Sequence, residues 1–271
     1  MLQTLKASNG YEMSYQKIGS GDSIILLHGF GEDSTIWEYQ VDVLKQKFTV
    51  LIPDLPGCGQ SKEEIQTISL HSISIMLKEL LDKESIKQTI LFGHSMGGYI
   101  AMDFAKNFAS YLKGISLVFS NAYADSDDKK DRRKKSIHLI EQGGKEAFLH
   151  AMILNLYSER SKKEIKLLIQ QHLTIAKQIS SNTLIAYYNA MLQRQDNSYI
   201  LNDLQIPVQF ILGKEDSTFD YKYALKQIPL CSQSDVHLLN EVGHTGMYER
   251  PDLLNNALLD FASRIYLNNI H

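Results

Sequence analysis

Gly93-His94-Ser95-Met96-Gly97 has the form G-x-S-x-G and sits between two segments of different period. Before it, Thr89-Ile90-Leu91-Phe92 has the β-branched and aromatic content of a short buried strand; after it, Ile100, Phe104 and Phe108 recur at helical spacing. Ser95 is thus expected on a strand-turn-helix corner. A turn that sharp strains the serine backbone and leaves no room for side chains two residues to either side, a demand that Gly93 and Gly97 meet. The helix that follows aims unpaired N–H groups and the positive end of its dipole at the serine oxygen. Taken alone, the pentapeptide fits a plain glycine-rich turn as well as a nucleophile, so the flanking chain has to separate the two.

Upstream, Ser23-Ile24-Ile25-Leu26-Leu27 is a continuous apolar run of the kind buried on both faces of a sheet, and it ends in His28-Gly29-Phe30-Gly31. Trp37, Val41 and Leu44 follow at helical spacing. A further strand, Phe48 to Ile52, is stopped by Pro53 and by Asp54-Leu55-Pro56-Gly57-Cys58-Gly59-Gln60-Ser61. Leu70, Ile73, Leu77, Leu80 and Leu81 mark the helix leading into the serine strand. Downstream, Ile115 to Phe119, Val208 to Leu212 and Val236 to Leu239 read as strands, and Pro251 opens a last helix with Leu254, Ala257, Leu258, Phe261 and Ile265 on its buried stripe. Repeated strand-helix units of this kind predict an α/β fold with a mostly parallel central sheet flanked by helices. Residues 2–8 and 11–18 alternate around Asn9-Gly10, which predicts an opening hairpin with a type I′ turn at an antiparallel edge.

From Asn121 to Gln195 the alternation stops and helical patterns follow one another, so residues 121–195 read as a helical lid inserted into a core formed by 1–120 and 196–271. The basic run Lys129-Lys130-Asp131-Arg132-Arg133-Lys134-Lys135 is interleaved with acid and reads as a solvated helix face rather than an anion site. Ser161-Lys162-Lys163-Glu164 has the form of a capping box, with Ile165, Leu168, Leu173 and Ala176 facing inward on the helix it opens. Met152, Tyr187, Tyr188 and Met191 either line a substrate cavity or pack the lid on the core; packing is the default for apolar helix faces.

At 271 residues the chain suits one large α/β domain, and a net charge of −3 removes nucleic acid and anionic membrane as expected partners. Cys58 and Cys231 are read as free thiols, since two cysteines build no disulfide framework. The opening residues lack a signal-peptide core and no apolar run is long enough to span a bilayer, so a cytoplasmic location is expected. His71, His138, His150, His172, His237 and His271 stand singly, with no second ligand at metal spacing.

A serine nucleophile needs a base, a carboxylate that fixes the base's tautomer, and donors for an oxyanion. Asp216 lies just past one strand, in Gly213-Lys214-Glu215-Asp216, and His244 just past the last, in Gly243-His244. In a parallel sheet both reach the edge that carries Ser95. Glu215 and Asp220 flank Asp216 as alternatives.

In these motifs, taken in this order, the sequence resembles the α/β-hydrolase fold superfamily across nearly its whole length, the lid excepted. The matching stretches are His28-Gly29-Phe30-Gly31, Asp54 to Ser61, Gly93 to Gly98, Gly213 to Asp216 and Gly243-His244. The chain order Ser, Asp, His is that of the superfamily. The resemblance implies Ser95, Asp216 and His244 as catalytic residues, with an oxyanion hole from the backbone N–H groups of Phe30 and Met96. It points to Asp216 over its neighbours and to a small-molecule ester as substrate, with no cofactor; His28 and His94 read as structural, and Phe30, Tyr188 and Met191 are the candidate substrate-binding residues. A carbon-carbon bond hydrolase, a thioesterase-like lyase, a perhydrolase or a ligand receptor would use the same frame. The serine at position 95 argues against the haloalkane dehalogenase and epoxide hydrolase branches, which need an acid there.

Overall fold

In the computed structural model, which describes residues 2–267, Leu2–Lys6 (β1) and Glu12–Ile18 (β2) pair antiparallel and form one edge of the sheet. The sequence reading of His271 falls outside the described residues. The hairpin turn differs from the expected type. Gly10, and not Asn9, takes a positive φ of 90°, and its N–H donates to the Ala7 carbonyl at 3.0 Å. A type I′ turn needs positive φ at both central residues and neither Ser8 nor Asn9 has it; Gly10 alone is left-handed, and the Asn9 side chain accepts the Tyr11 N–H at 3.1 Å.

The apolar runs form Ser23–Leu27 (β3), Thr49–Pro53 (β4), Thr89–His94 (β5), Leu112–Val118 (β6), Val208–Gly213 (β7) and Ser234–Leu239 (β8). The eight strands lie in the order β1-β2-β4-β3-β5-β6-β7-β8, parallel from β4 to β8. β3, β5 and β7 are buried at every residue, as a sheet covered on both faces requires. The flanking helices are Glu38–Leu44 (α1), Leu70–Lys83 (α2) and Met96–Phe108 (α3). β3 and β5 are neighbours, with Leu27 beside Gly93, yet the chain leaves β3 toward β4 on one side and β5 toward β6 on the other. The loops at their carboxyl ends diverge and open a crevice, the usual place for a site in such a sheet.

Between β6 and β7 only helices occur: Asp127–Glu141 (α4), Lys145–Leu156 (α5), Ser161–Glu164 (α6), Lys166–Gln178 (α7), Ser181–Leu192 (α8) and Ile200–Asp203 (α9). The capping box at Ser161 does not form. Ser161 donates its N–H to Ser158 Oγ at 3.2 Å, Glu164 turns to Arg160 at 2.9 Å, and Ile165, at ψ 39°, breaks the chain before α7 begins. After β8 come Gly246–Glu249 and Pro251–Leu267, with Tyr221–Leu225 earlier, in the β7–β8 connection. Among the described residues no helix is long and apolar enough to cross a membrane.

Candidate active site

Ser95 stands at φ 50° and ψ −113°, a conformation that costs a non-glycine residue about 1–3 kcal/mol. The corner is over-determined, which keeps it there. Its N–H donates to the Val118 carbonyl at 3.0 Å, and its carbonyl accepts from Ser120 Oγ at 2.7 Å. A Cβ on Gly93 would meet the Gly97 carbonyl at 2.5 Å, and one on Gly97 would meet the Leu27 oxygen at 2.5 Å. From Thr89 through Ala105 every residue is buried except Ser95. α3 starts immediately after it, so the Met96 N–H lies in the first turn, whose donors lack intrahelical acceptors.

His244 and Asp216 arrive from the loops after β8 and β7, and His244 Nδ1 lies 2.6 Å from Asp216 Oδ2. The carboxylate is fixed from its other side. Thr218 donates to Asp216 Oδ1 through its N–H at 2.8 Å and through its hydroxyl at 2.6 Å. Burial alone would raise the Asp216 pKa, but the His244 charge, its hydrogen bond and both Thr218 donors outweigh it and hold the carboxyl below the ordinary range. The neighbouring acids have other places: Glu215 is exposed, and Asp220 accepts the Lys222 N–H at 2.9 Å, capping the short helix at Tyr221–Leu225. The His244 N–H donates to the Leu156 carbonyl at 2.6 Å. Glu249 accepts from the N–H groups of Gly243 and Thr245 at 3.0 and 3.2 Å and so braces the same loop.

The Gly29-Phe30 segment lies directly beside the serine, since a Cβ on Gly29 would be 3.1 Å from Ser95 Cβ. His28 Nε2 accepts the Leu55 N–H at 2.9 Å and ties this loop to the one after β4. Glu32, which the sequence reading passed over, holds the other side. Its Oε2 accepts the Gly29 N–H at 2.7 Å and faces His94 Nδ1 at 2.8 Å, while His94 Nε2 faces the His244 carbonyl at 2.9 Å. Both His94 nitrogens therefore point at pure acceptors, the arrangement that favours an imidazolium. His172, expected to stand alone, has its Nδ1 2.9 Å from the Tyr157 hydroxyl and its Nε2 3.8 Å from Glu32; only the fold brings these residues together. Nothing in their spacing announces it. Thr218 was also missed, although a hydroxyl two residues past Asp216 is the local signal for a side chain that caps it.

Burial would raise the Glu32 pKa, but His94 and the Gly29 amide bring it down to about 2; burial would lower that of His94, and Glu32 raises it instead. The depressed carboxylate contributes stability above its ordinary value of 4.5 and loses it as pH falls toward 2. The raised imidazole contributes fully below its ordinary 6.5 and loses it as pH climbs through the folded value. Thermal melts are expected to show greatest stability from this pair between pH 4.5 and 6.5. Glu32→Gln should flatten the acid slope and cost about 3–5 kcal/mol at pH 6, since it leaves a buried charge unpartnered. An unchanged acid slope would show the pair to be neutral.

A cavity of about 210 Å³ opens over Ser95 and His244, walled by Phe30, Met152, Tyr188 and Met191. Met152, Tyr188 and Met191 thus face the cavity, against the default of packing. Tyr187 packs instead, donating its hydroxyl to the Pro56 carbonyl at 2.7 Å. Phe30 stacks on Tyr188 at 4.3 Å between centroids and 14° between planes. The reading of the basic run as a solvated face holds for Asp131, Arg132, Lys134 and Lys135, which are exposed, and is corrected for Lys129 and Arg133, which are partly buried and line this cavity, with Arg132 at its rim. A larger hollow of about 460 Å³ lies at the amino ends of β6, β7 and β8, around Pro207 and Arg264, remote from the serine.

A profile described as alpha/beta hydrolase fold matches residues 22–251. The chain is 29% identical over 259 residues to a protein of Acinetobacter baylyi named "Putative carbamate hydrolase RutD", covering 92% of this chain and 97% of the relative. It is 22% identical to a 2-hydroxy-6-oxononadienedioate/2-hydroxy-6-oxononatrienedioate hydrolase of Paraburkholderia phymatum, over 96% of this chain and 94% of that one. A thermophilic esterase from Thermogutta terrifontis shares the fold with a TM-score of 0.92 at 24% identity, over 98% of this chain and 99% of that one. The profile spans most of the chain, from before β3 to the start of the last helix, and it coincides with this strand order and this serine corner: the chain belongs to the α/β hydrolase fold family.

Proposed function

We propose that this protein is a serine hydrolase of small-molecule esters that works through an acyl-enzyme. The observation that carries the reading is the 2.6 Å contact between His244 Nδ1 and Asp216, beside the cavity that His244 and the strained Ser95 both line. Asp216 keeps the proton of His244 on Nδ1, which leaves Nε2 free to take the Ser95 hydroxyl proton. Ser95 Oγ then bonds to the substrate carbonyl carbon, and the displaced π pair becomes an oxyanion received by the N–H groups of Phe30 and Met96. Collapse breaks the ester C–O bond; the leaving alcohol takes the proton back from His244, and water repeats the sequence to release the acid and regenerate Ser95. No cofactor enters this chemistry.

Residues 121–195 act in this reading as a lid whose α5 and α8 side chains choose the acyl group. The cavity is below the roughly 300–1,000 Å³ common for drug-sized ligands, which favours a short substrate. Tyr188→Ala is expected to shift the kcat/KM ratio between long and short acyl chains toward the long by about 10–200-fold, the worth of a few apolar contacts. A constant ratio across a p-nitrophenyl ester series would return Tyr188 to packing.

A fluorophosphonate probe tests the mechanism: it should attach to Ser95 within minutes, seen as one modified peptide by mass spectrometry, and attachment elsewhere would end the proposal. A carbamate carbonyl presents the same electrophile, and the likeness to the Acinetobacter relative favours it as the second substrate class. Phenyl carbamates beside phenyl esters in one rate panel separate the two.

A further inference from the structure

We propose that the substrate carries a carboxylate at the end remote from the bond being cleaved, received by Lys129 and Arg133 on α4; this rests on the ester-hydrolase reading and names its substrate class. Both side chains line the cavity of Ser95 and are largely withdrawn from solvent, at 22% and 11% exposure. They share one counter-ion. Asp125, fully buried, takes Arg133 Nε at 2.6 Å, Arg194 at 3.0 Å and Lys129 at 3.7 Å. Three cations on a single carboxylate leave an excess of positive charge where water is scarce, and such charge is costly unless something pairs it. Arg194 Nε and Nη1 are buried with no hydrogen-bond partner among the described residues.

The other groups facing this wall do not supply the missing anion. Glu32 lines the cavity but is committed to His94 and Gly29, Asp216 is committed to His244, and Arg132 adds a further cation. Tyr99, also in the lining, has the Arg194 guanidinium 3.4 Å from its ring centroid. Burial would raise its phenol, yet Lys129, Arg194 and Arg133 pull it down to about 8, which is the direction an unbalanced positive field imposes. Arg133 is held over the Tyr188 ring at 5.3 Å and spends only Nε on Asp125, so its two Nη groups are left for another acceptor. A planar carboxylate suits that fork. Phe30, Met152 and Met191 supply the apolar walls for the methylenes between the two ends. A monoester of a short dicarboxylic acid has this build.

The test compares kcat/KM for monomethyl glutarate with that for methyl 5-methylhexanoate, in which an isopropyl group replaces the carboxylate. The glutarate ester is expected to be preferred at least tenfold, and Arg133→Gln and Lys129→Gln should each lower the ratio tenfold or more. Lys129→Gln, with its longer contact to Asp125, guards against a folding defect in the arginine variant. Preference for the neutral ester, or a ratio unmoved in both variants, overturns the proposal while fluorophosphonate labelling of Ser95 still judges the hydrolase reading separately. Calorimetry of glutarate with Ser95→Ala gives a measure independent of turnover. Glutarate bound, and lost when Arg133→Gln is added, upholds the anion site even if neither ester reacts; no binding overturns it.

Discussion

Asp216→Asn is expected to lower kcat on the order of 10⁴-fold, with the chain still folded and Ser95 still in place. The size of the loss follows from Thr218. Its N–H and hydroxyl donate to Oδ1 at 2.8 and 2.6 Å, so in the variant the amide oxygen is compelled to occupy that position and the NH₂ group turns toward His244 Nδ1. An NH₂ group can only donate there. The imidazole must then accept at Nδ1 and carry its proton on Nε2, the nitrogen that the proposed mechanism needs bare. Asp220→Asn, at the cap of the short helix, should change kcat little. Steady-state rates on a short p-nitrophenyl ester check both, and equal losses would show that the carboxylate at 216 has no special part.

Ser95→Ala should reduce kcat about 10⁶-fold, leaving a small residue above the water rate from binding and the oxyanion donors. Its stability effect is as informative as its rate. Alanine keeps the Cβ, so the strain at φ 50° stays; Ser95→Gly removes it. Of the about 1–3 kcal/mol of strain, glycine gives back part through the greater freedom of its unfolded chain, so Ser95→Gly should melt as if about 1 kcal/mol more stable than Ser95→Ala. Equal melting temperatures would mean that the corner is not strained, and an alanine variant with full esterase activity would remove Ser95 from the chemistry.

The parts legible in the sequence are those whose physics is local. The serine corner, the His28-Gly29-Phe30-Gly31 turn and the strand-end position of Asp216 each need particular residue types within a few positions, so their spacing reports them. The hairpin at Asn9-Gly10 was legible as a hairpin, but its turn type depended on where positive φ falls, and Gly10 alone has it. Ser161 carried the pattern of a cap, and Ser158 took the bond because the chain turned earlier. Lys129 and Arg133 were illegible for a different reason. Residues 127–136 of their helix are all polar, and only Ile137 and Ile140 near its end mark the face that meets the core; the docking of α4 over Ser95 brings Lys129 and Arg133 to the cavity. Glu32, His94 and His172 come from three separate segments, and their meeting is a property of the assembled fold alone.

The short stretch from Asn155 to Ser158 makes the helical insertion something other than a detachable module. Leu156 receives the His244 N–H at 2.6 Å, Asn155 receives the Ser217 hydroxyl at 2.6 Å, and Ser158 donates its N–H to Glu249 at 2.9 Å. One end of α5 is thus bolted to both loops that carry Asp216 and His244, whereas α4 and α8 meet the cavity only through side chains. Replacing the whole insertion would carry this bolt away and loosen His244 together with the cavity walls. Substitutions on α4 and α8 can reshape the cavity walls while Asp216 and His244 keep their seat.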